Sequence, residues 1–235
     1  MFLKVAVLNN SGNVGKSTIC QTLLNPRLED SKIISIETLN SDGTDNEKLS
    51  AKEFDEVMSK IDDVDCAIID IGASNIETFL VKMNAYKGSS DLIDFYLIPV
   101  LPQQKQQVDS LVTVENLLNA GVDKENIKFI FNMANKEKTL EKQYSLIFDN
   151  DLGKQILSNT EIPSVVYESD LFGVLTKNKK RYFDVYNDDR DFKKLMREVD
   201  SREERAELST ARSLKMLMNG FNSELDMAFL NLEIA

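Results

Sequence analysis

The sequence contains no histidine and only two cysteines, Cys20 and Cys66. Without imidazole there is no His-based catalysis, and a transition-metal site loses its commonest ligand. Two isolated cysteines, one in a predicted helix and one entering a predicted strand, read as buried, inert thiols of a cytosolic protein. Positive charge is scarce as well. Twenty-eight Lys and Arg against 39 Asp and Glu leave a net charge of −11, which argues against a protein that coats nucleic acid over its whole surface but leaves room for a local basic patch. No apolar run approaches the roughly 18 residues a membrane-spanning helix needs. The N-terminus reads as a strand carrying Lys4 rather than as a signal peptide. Internal repeats and low-complexity tracts are absent. What remains is ordinary globular composition, 42% apolar and 29% charged over 235 residues, enough for one α/β domain with a full core and a small appendage.

The most informative stretch is Asn9-Asn10-Ser11-Gly12-Asn13-Val14-Gly15-Lys16-Ser17-Thr18. It follows Leu3-Lys4-Val5-Ala6-Val7-Leu8, an apolar strand, and precedes Ile19-Cys20-Gln21-Thr22-Leu23-Leu24, a helix. A strand, a Gly-containing loop ending in Gly-Lys-Ser and a helix together form the setting of a phosphate-binding P-loop. Backbone N–H groups and the positive helix end converge there on a polyphosphate. Lys16 reaches the β- and γ-phosphates in that arrangement, and the Ser17 hydroxyl ligates Mg²⁺. The general pattern has glycine five residues before the Gly-Lys pair, where this chain has Asn10.

Strands are predicted at 32–37, 65–70, 94–100, 126–132 and 162–167. Helices are predicted at 47–61, 76–86, 104–120 and 137–158, and throughout the region after about Ser169. Strands apolar on both faces, alternating with helices, predict an α/β fold with a largely parallel sheet and helices on both its faces. The predicted division is an α/β P-loop domain over 1–175 and a helical C-terminal extension over 176–235, packed on that domain or on a partner. Ligands in such folds sit beyond the carboxyl ends of the strands, so the loops after Leu8, Glu37, Asp70 and Asn132 should surround one site. Asp70 ends an apolar strand, the place of a carboxylate that works with Mg²⁺.

From its first residue to about Leu175 the chain resembles a ParA/MinD-type ATPase. That family's deviant Walker A loop is written K-G-G-x-G-K-[ST], and Gly12, Gly15, Lys16 and Ser17 agree with it, while Ser11 and Asn13 do not. Asp65 to Gly72 resembles D-x-x-I-I-D-x-[PG], and Asp94 to Pro102 resembles D-x-x-L-I-P-x-x-P. Asn132 falls where the family places an asparagine against adenine. Ile162-Pro163 followed by Glu168 to Gly173 resembles its I-P…E-x-x-x-x-G stretch. The loop most resembles plasmid-stability and conjugal-transfer members, StbB-like and TraL-like. The resemblance implies ATP and Mg²⁺ as cofactors. It implies cofactor contacts from Ser11, Gly12, Asn13, Val14, Gly15, Lys16, Ser17, Thr18, Asn132 and Pro163, with Ser17 and Asp70 on the metal. It also implies a homodimer, a plasmid-encoded DNA-binding protein as partner, and a role in plasmid segregation, positioning or conjugal transfer.

The departures bear on turnover. The family's signature lysine, contributed across the dimer to the partner's phosphates, is Ser11 here. Its D-x-D-x-Q segment aligns with Glu37, Leu39 and Ser41, so the water-positioning aspartate has become Leu39. Glu37 or Asp42 is left to substitute, beside Lys16, in the catalytic role. Binding should survive these changes better than hydrolysis. Asn135-Lys136-Glu137-Lys138 lacks the aspartate of the guanine-reading N-K-x-D, which favours ATP; those residues are expected simply to start a helix.

Late in the chain, Lys177, Lys179, Lys180 and Arg181 form the densest basic cluster, with Tyr182 interleaved. It is either a DNA-facing patch or a solvated charged face. A stripe running through Leu208, Leu214, Leu217, Met218, Phe221, Leu225 and Phe229 predicts a helix that packs on the domain or on a partner subunit. Glu224, Asp226 and Glu233 argue against a membrane-surface role for it.

Overall fold

The structure, a computed structural model, describes residues 2–37 and 53–234. It divides into two compact units, Met1–Tyr167 with Met227–Ala235, and Glu168–Asp226.

The first unit is built on six strands: β1 (Leu3–Val7), β2 (Lys32–Ile36), β3 (Cys66–Ile71), β4 (Phe95–Val100), β5 (Ile127–Ala134) and β6 (Ser164–Tyr167). All pair in parallel in the order β2-β3-β1-β4-β5-β6. Every residue of β1 and β3 is buried, as expected of central strands covered on both faces. From β1 the chain crosses to the edge strand β2, returns to β3, and then passes β1 to run outward through β4, β5 and β6. The switch point therefore lies between β1 and β4, and the crevice at their carboxyl ends is where such a sheet takes a ligand.

All six predicted strands start and end within two residues of those observed, the largest shifts being at β5, which runs on to Ala134, and at β6, which begins at Ser164 rather than 162. The helix predicted over 47–61 is described only from 53, and α2 is Phe54–Asp62. α1 (Lys16–Ile19) continues as a π-helical turn, Cys20–Leu24, and α3 (Ile76–Ala85) and α4 (Gln104–Asn119) follow the periodicity closely.

The predicted 137–158 helix is instead three short pieces, α5 (Leu140–Gln143), α6 (Ser145–Asp149) and α7 (Asp151–Leu157). Two side chains explain the breaks. Asn150 stops one helix and caps the next, its Oδ1 accepting from the N–H groups of Leu152 and Gly153 at 2.9 and 3.1 Å. Tyr144 turns inward between the other two, fully buried, with its hydroxyl donating to the Asn132 carbonyl at 2.8 Å and its ring edge-on to Phe131. Residues 135–138 are a turn rather than a helix start. Gln143 closes it, accepting from Asn135 N–H and donating to the Asn135 and Lys138 carbonyls.

A lysine in the first strand is also accounted for. Lys4 is 1% exposed, and its ammonium donates to the carbonyls of Ile61 and Val64 at the end of α2. The chain's last residues return to this unit along β6. Ser164 Oγ donates to the Ala228 carbonyl, Asn231 Nδ2 donates to the Pro163 carbonyl, and Leu232 and Ile234 are buried.

The second unit holds α8 (Leu171–Lys177), α9 (Tyr182–Tyr186), α10 (Phe192–Glu198) and most of α11 (Arg202–Leu230). Phe172, Tyr182, Tyr186 and Phe221 pack ring against ring within it, and Tyr182 donates to Asn222. No helix among the described residues is long and apolar enough to cross a membrane.

Because the Tyr144 hydroxyl is buried on a carbonyl that water cannot reach, Tyr144→Phe should lower stability by about 1 kcal/mol. Denaturant unfolding with an unchanged slope would show it; an unchanged midpoint would contradict this reading of the α5–α6 break.

Candidate functional site

The P-loop leaves β1 at the switch point and is fastened there by a residue in its first turn. Asn9 is fully buried. Its Nδ2 donates to the Pro99 carbonyl of β4 at 2.9 Å and to Ser110 Oγ of α4 at 2.7 Å, while Oδ1 accepts from Ser11 N–H at 2.7 Å. Asn10 N–H donates to Thr113 Oγ1 at 3.0 Å. The loop's entry is therefore tied to β4 and α4 by side chains. The turn itself needs left-handed backbone at Asn13 (φ 57°) and Gly15 (φ 87°). Gly15 has a second reason to be glycine: a Cβ there would stand 2.5 Å from Asn132 Nδ2.

Lys16 opens α1 and folds back under the loop. Its ammonium donates to the carbonyls of Ser11 (2.9 Å) and Asn9 (3.2 Å), and it is only 8% exposed. Burial pulls its pKa below the ordinary lysine value, and the negative charge of Asp70 opposes that shift. Asp70 lies on β3 in register with Val7 of β1. Burial raises its pKa, a Ser17 hydroxyl hydrogen bond and Lys16 lower it, and Glu37 at the end of β2 raises it further. The Cys20 thiol, enclosed one turn after Lys16, is pushed well up by burial and by Asp70, so it stays neutral as expected of an inert thiol.

The predicted residues divide cleanly. Ser11 to Thr18, Glu37, Asp70 and Asn132 come together at the carboxyl ends of β1, β2, β3 and β5. Gly12, Asn13, Ser17 and Thr18 are exposed, and a Cβ at Gly12 would meet nothing within 4 Å. Asn132 is 8% exposed and ties β5 to the loop, its Nδ2 donating to the Val14 carbonyl at 2.9 Å and its Oδ1 accepting from Met133 N–H at 3.0 Å.

Pro163 does not join the site. It precedes the first residue of β6, and Ser164 is level with Ile130, two residues before Asn132, so Pro163 lies part-way down the sheet from the site, against Asn231. Leu39, Ser41 and Asp42 lie outside the described residues. Lys177, Lys179, Lys180 and Arg181 are exposed in the second unit, where Arg181 forks onto Asp184 at 2.8 and 3.0 Å.

Sequence reasoning missed Asn9, with its partners Ser110 and Thr113. The available signal was an asparagine ending an apolar strand, and two small hydroxyl residues on the inward face of α4.

Chemically, this is a glycine-containing loop exposed at Gly12 and Asn13, next to a buried ammonium and a buried carboxylate that is only partly compensated. Such a site suits a polyanion together with a hard cation. Among the described residues no three acidic, cysteine or histidine side chains cluster as a metal cage. A cation here would be shared between Ser17, Asp70 and the oxygens of the anion.

No family model and no curated protein sequence matches the chain. Among solved structures, the MinD cell division protein of Aquifex aeolicus aligns with a TM-score of 0.50 at 15% identity, over 90% of this chain and 96% of that one. An ATP complex of Cyanothece McdA (TM-score 0.48, 14% identity, 93% and 96% covered) also matches. So does a Borrelia burgdorferi protein described as a plasmid partition protein, bound to AMPPNP (0.49, 13%, 92% and 99%). At 15% identity the MinD likeness shows the fold, a parallel α/β sheet with helices as expected from the sequence.

Asp70 binds its proton at a higher pH in the folded chain than in the unfolded one. Between those two pKa values the folded state holds more protons, so this group adds stability as pH falls and subtracts it as pH rises. Asp70→Asn, neutral throughout, should therefore melt above the parent in the absence of nucleotide and Mg²⁺. The gain should be largest near neutral pH and shrink as pH falls through the raised pKa. A variant less stable than the parent at pH 7 would contradict the partly compensated carboxylate.

Proposed function

We propose that the chain is a ParA-like protein that binds ATP with Mg²⁺ and acts in plasmid segregation, positioning or conjugal transfer through nucleotide-dependent dimerisation, with slow hydrolysis. The observation that carries the reading is the conjunction of Lys16, Ser17 and Asp70 at a loop whose Gly12 and Asn13 are exposed. In this reading Lys16 exchanges the Ser11 and Asn9 carbonyls for phosphate oxygens, acceptors of full negative charge that better match its ammonium. Ser17 and Asp70 hold Mg²⁺, which supplies charge neutralisation at the phosphates. Asn9 and Asn132 hold the loop from either side, so its amides need little rearrangement on binding.

Slow hydrolysis follows from position 11. A serine has no cation to extend toward a second copy's phosphates, and Ser11 is 7% exposed with its N–H and carbonyl both engaged. Glu37 is the described carboxylate nearest to a water-positioning role, with Asp42 as the second candidate. The same observation favours one other reading, a nucleotide-sensing adaptor that binds ATP without turnover and recruits a protein partner to DNA. The exposed Lys177–Arg181 segment is the candidate for nonspecific DNA contact.

Lys16→Ala should weaken Mg·ATP binding by roughly 100-fold, about 3 kcal/mol of lost charge-assisted contact. Unchanged binding in that variant would refute the site. ATP turnover by the parent protein should be on the order of 10⁻³ s⁻¹ or slower without partners, the range of P-loop sites that lack a charge-donating finger. Brisk turnover would show that another group does the missing lysine's work. Binding with no turnover, with or without duplex DNA, would select the adaptor reading.

A further inference from the structure

α11 runs for 29 residues and buries one stripe, Leu214, Met218, Phe221 and Leu225. Two positions further along, roughly 200° around the helix, lies a second apolar stripe that nothing among the described residues covers. Met216, Met227 and Leu230 are 67%, 58% and 67% exposed, among the most exposed large apolar side chains in the described structure. They share one face with Gly220 and Ser223. The steps 216, 220, 223, 227, 230 alternate four and three, the 3.5-residue period of a face kept against a second helix. Continued toward the N-terminus, the period falls on Ser213, Ser209 and Ala206.

The serines on this face do not present polar groups to it. Ser213 Oγ donates to the Ser209 carbonyl at 2.9 Å and Ser223 Oγ to the Asn219 carbonyl at 3.1 Å, both within their own helix.

We propose that this face docks α11 of a second copy of the chain, running antiparallel. Size and charge independently select that occupant. An antiparallel pair centred between Met216 and Gly220 sets Leu230 opposite Ala206, Met227 opposite Ser209, Ser223 opposite Ser213 and Gly220 opposite Met216. Each layer then pairs a large side chain with a small one, or two small ones, and the helices lie evenly close. A parallel pair instead crowds large against large at one end and leaves gaps at the other.

The flanks of the face carry Arg205 and Arg212 in the first half and Glu224 and Asp226 in the second. Antiparallel docking brings Arg212 beside Asp226 of the second copy, whereas parallel docking sets Arg212 against Leu217 and Asp226 against Asn231 and forms no such pair. The face is its own complement, so the contact closes as a two-fold dimer. From Ala206 to Leu230 it extends about 36 Å. It uses no residue of the P-loop, so the dimer forms without nucleotide and survives Lys16→Ala, unlike the nucleotide-dependent pairing proposed above.

Sedimentation velocity of the nucleotide-free full chain should show a concentration-dependent dimer. Gly220→Glu places a carboxylate at the closest approach. A Cβ at Gly220 meets nothing within 4 Å in its own protomer, and leaving glycine favours the helix by up to about 1 kcal/mol. Compared at a concentration low enough that both are monomeric, this variant should therefore melt no lower than the parent, while its dimer weakens about tenfold or more.

Ser213→Cys combined with Ser223→Cys should crosslink between chains on mild oxidation, and neither single variant should. Three results would overturn the proposal. They are a parent that stays monomeric at its highest soluble concentration, a Gly220→Glu variant that dimerises as the parent does, and crosslinking by a single variant, which would make the helices parallel.

Discussion

Two opposite charges, the Lys16 ammonium and the Asp70 carboxylate, are held out of water at the carboxyl ends of neighbouring strands. Neither is fully compensated by the other. Burial is the largest influence on both, moving Lys16 down and Asp70 up, against the attraction between them. A chain selected only for stability has no use for such a pair, since well-packed apolar groups of similar size are commonly as good or better. The rest of the first unit reads as the scaffold that keeps these charges in place. The parallel sheet sets β1 beside β3, Asn9 fixes the start of the loop, and the left-handed turn at Gly15 aims α1 so that Lys16 folds underneath.

That scaffold is cross-braced by buried carboxamides rather than by ion pairs. Asn9 joins β1, β4 and α4; Asn132 joins β5 to the loop; Gln107 of α4 donates to the carbonyls of Pro102 and Gln143 and accepts from Leu146 N–H. A carboxamide offers donor and acceptor together and carries no charge to desolvate, so it can pin backbone from two elements at modest cost. The placement matters for function, because the braces grip the loop's frame and leave Gly12 and Asn13 exposed.

Much of this was legible in the sequence. The strands were readable because β1, β3 and β5 are apolar on both faces, and the loop because Gly-Lys-Ser stands between a strand and a helix. The residues gathered at the site followed from the rule that ligands sit at strand ends, which holds for Ser11 to Ser17, Glu37, Asp70 and Asn132. Pro163 came instead from the family resemblance, and because it precedes its strand it lies away from that edge of the sheet. Other features depend on tertiary context that no local pattern carries. The breaks at Tyr144 and Asn150 arise because one side chain is drawn into the core and the other caps a helix in the midst of helix-forming residues. The buried stripe of α11 showed itself through Leu214, Met218, Phe221 and Leu225. Its outward stripe did not, because glycine and serines between the methionines mask the period until exposure is known.

On the function proposed, the buried ammonium and carboxylate are completed by a polyphosphate with its cation. Calorimetric titration of ATP into the nucleotide-free protein, with and without Mg²⁺, is the first test. Saturable binding of one nucleotide per chain, weakening sharply when Mg²⁺ is withheld, is expected. A folded protein that gives no binding heat at millimolar ATP, or one that binds ATP equally well without Mg²⁺, would contradict it.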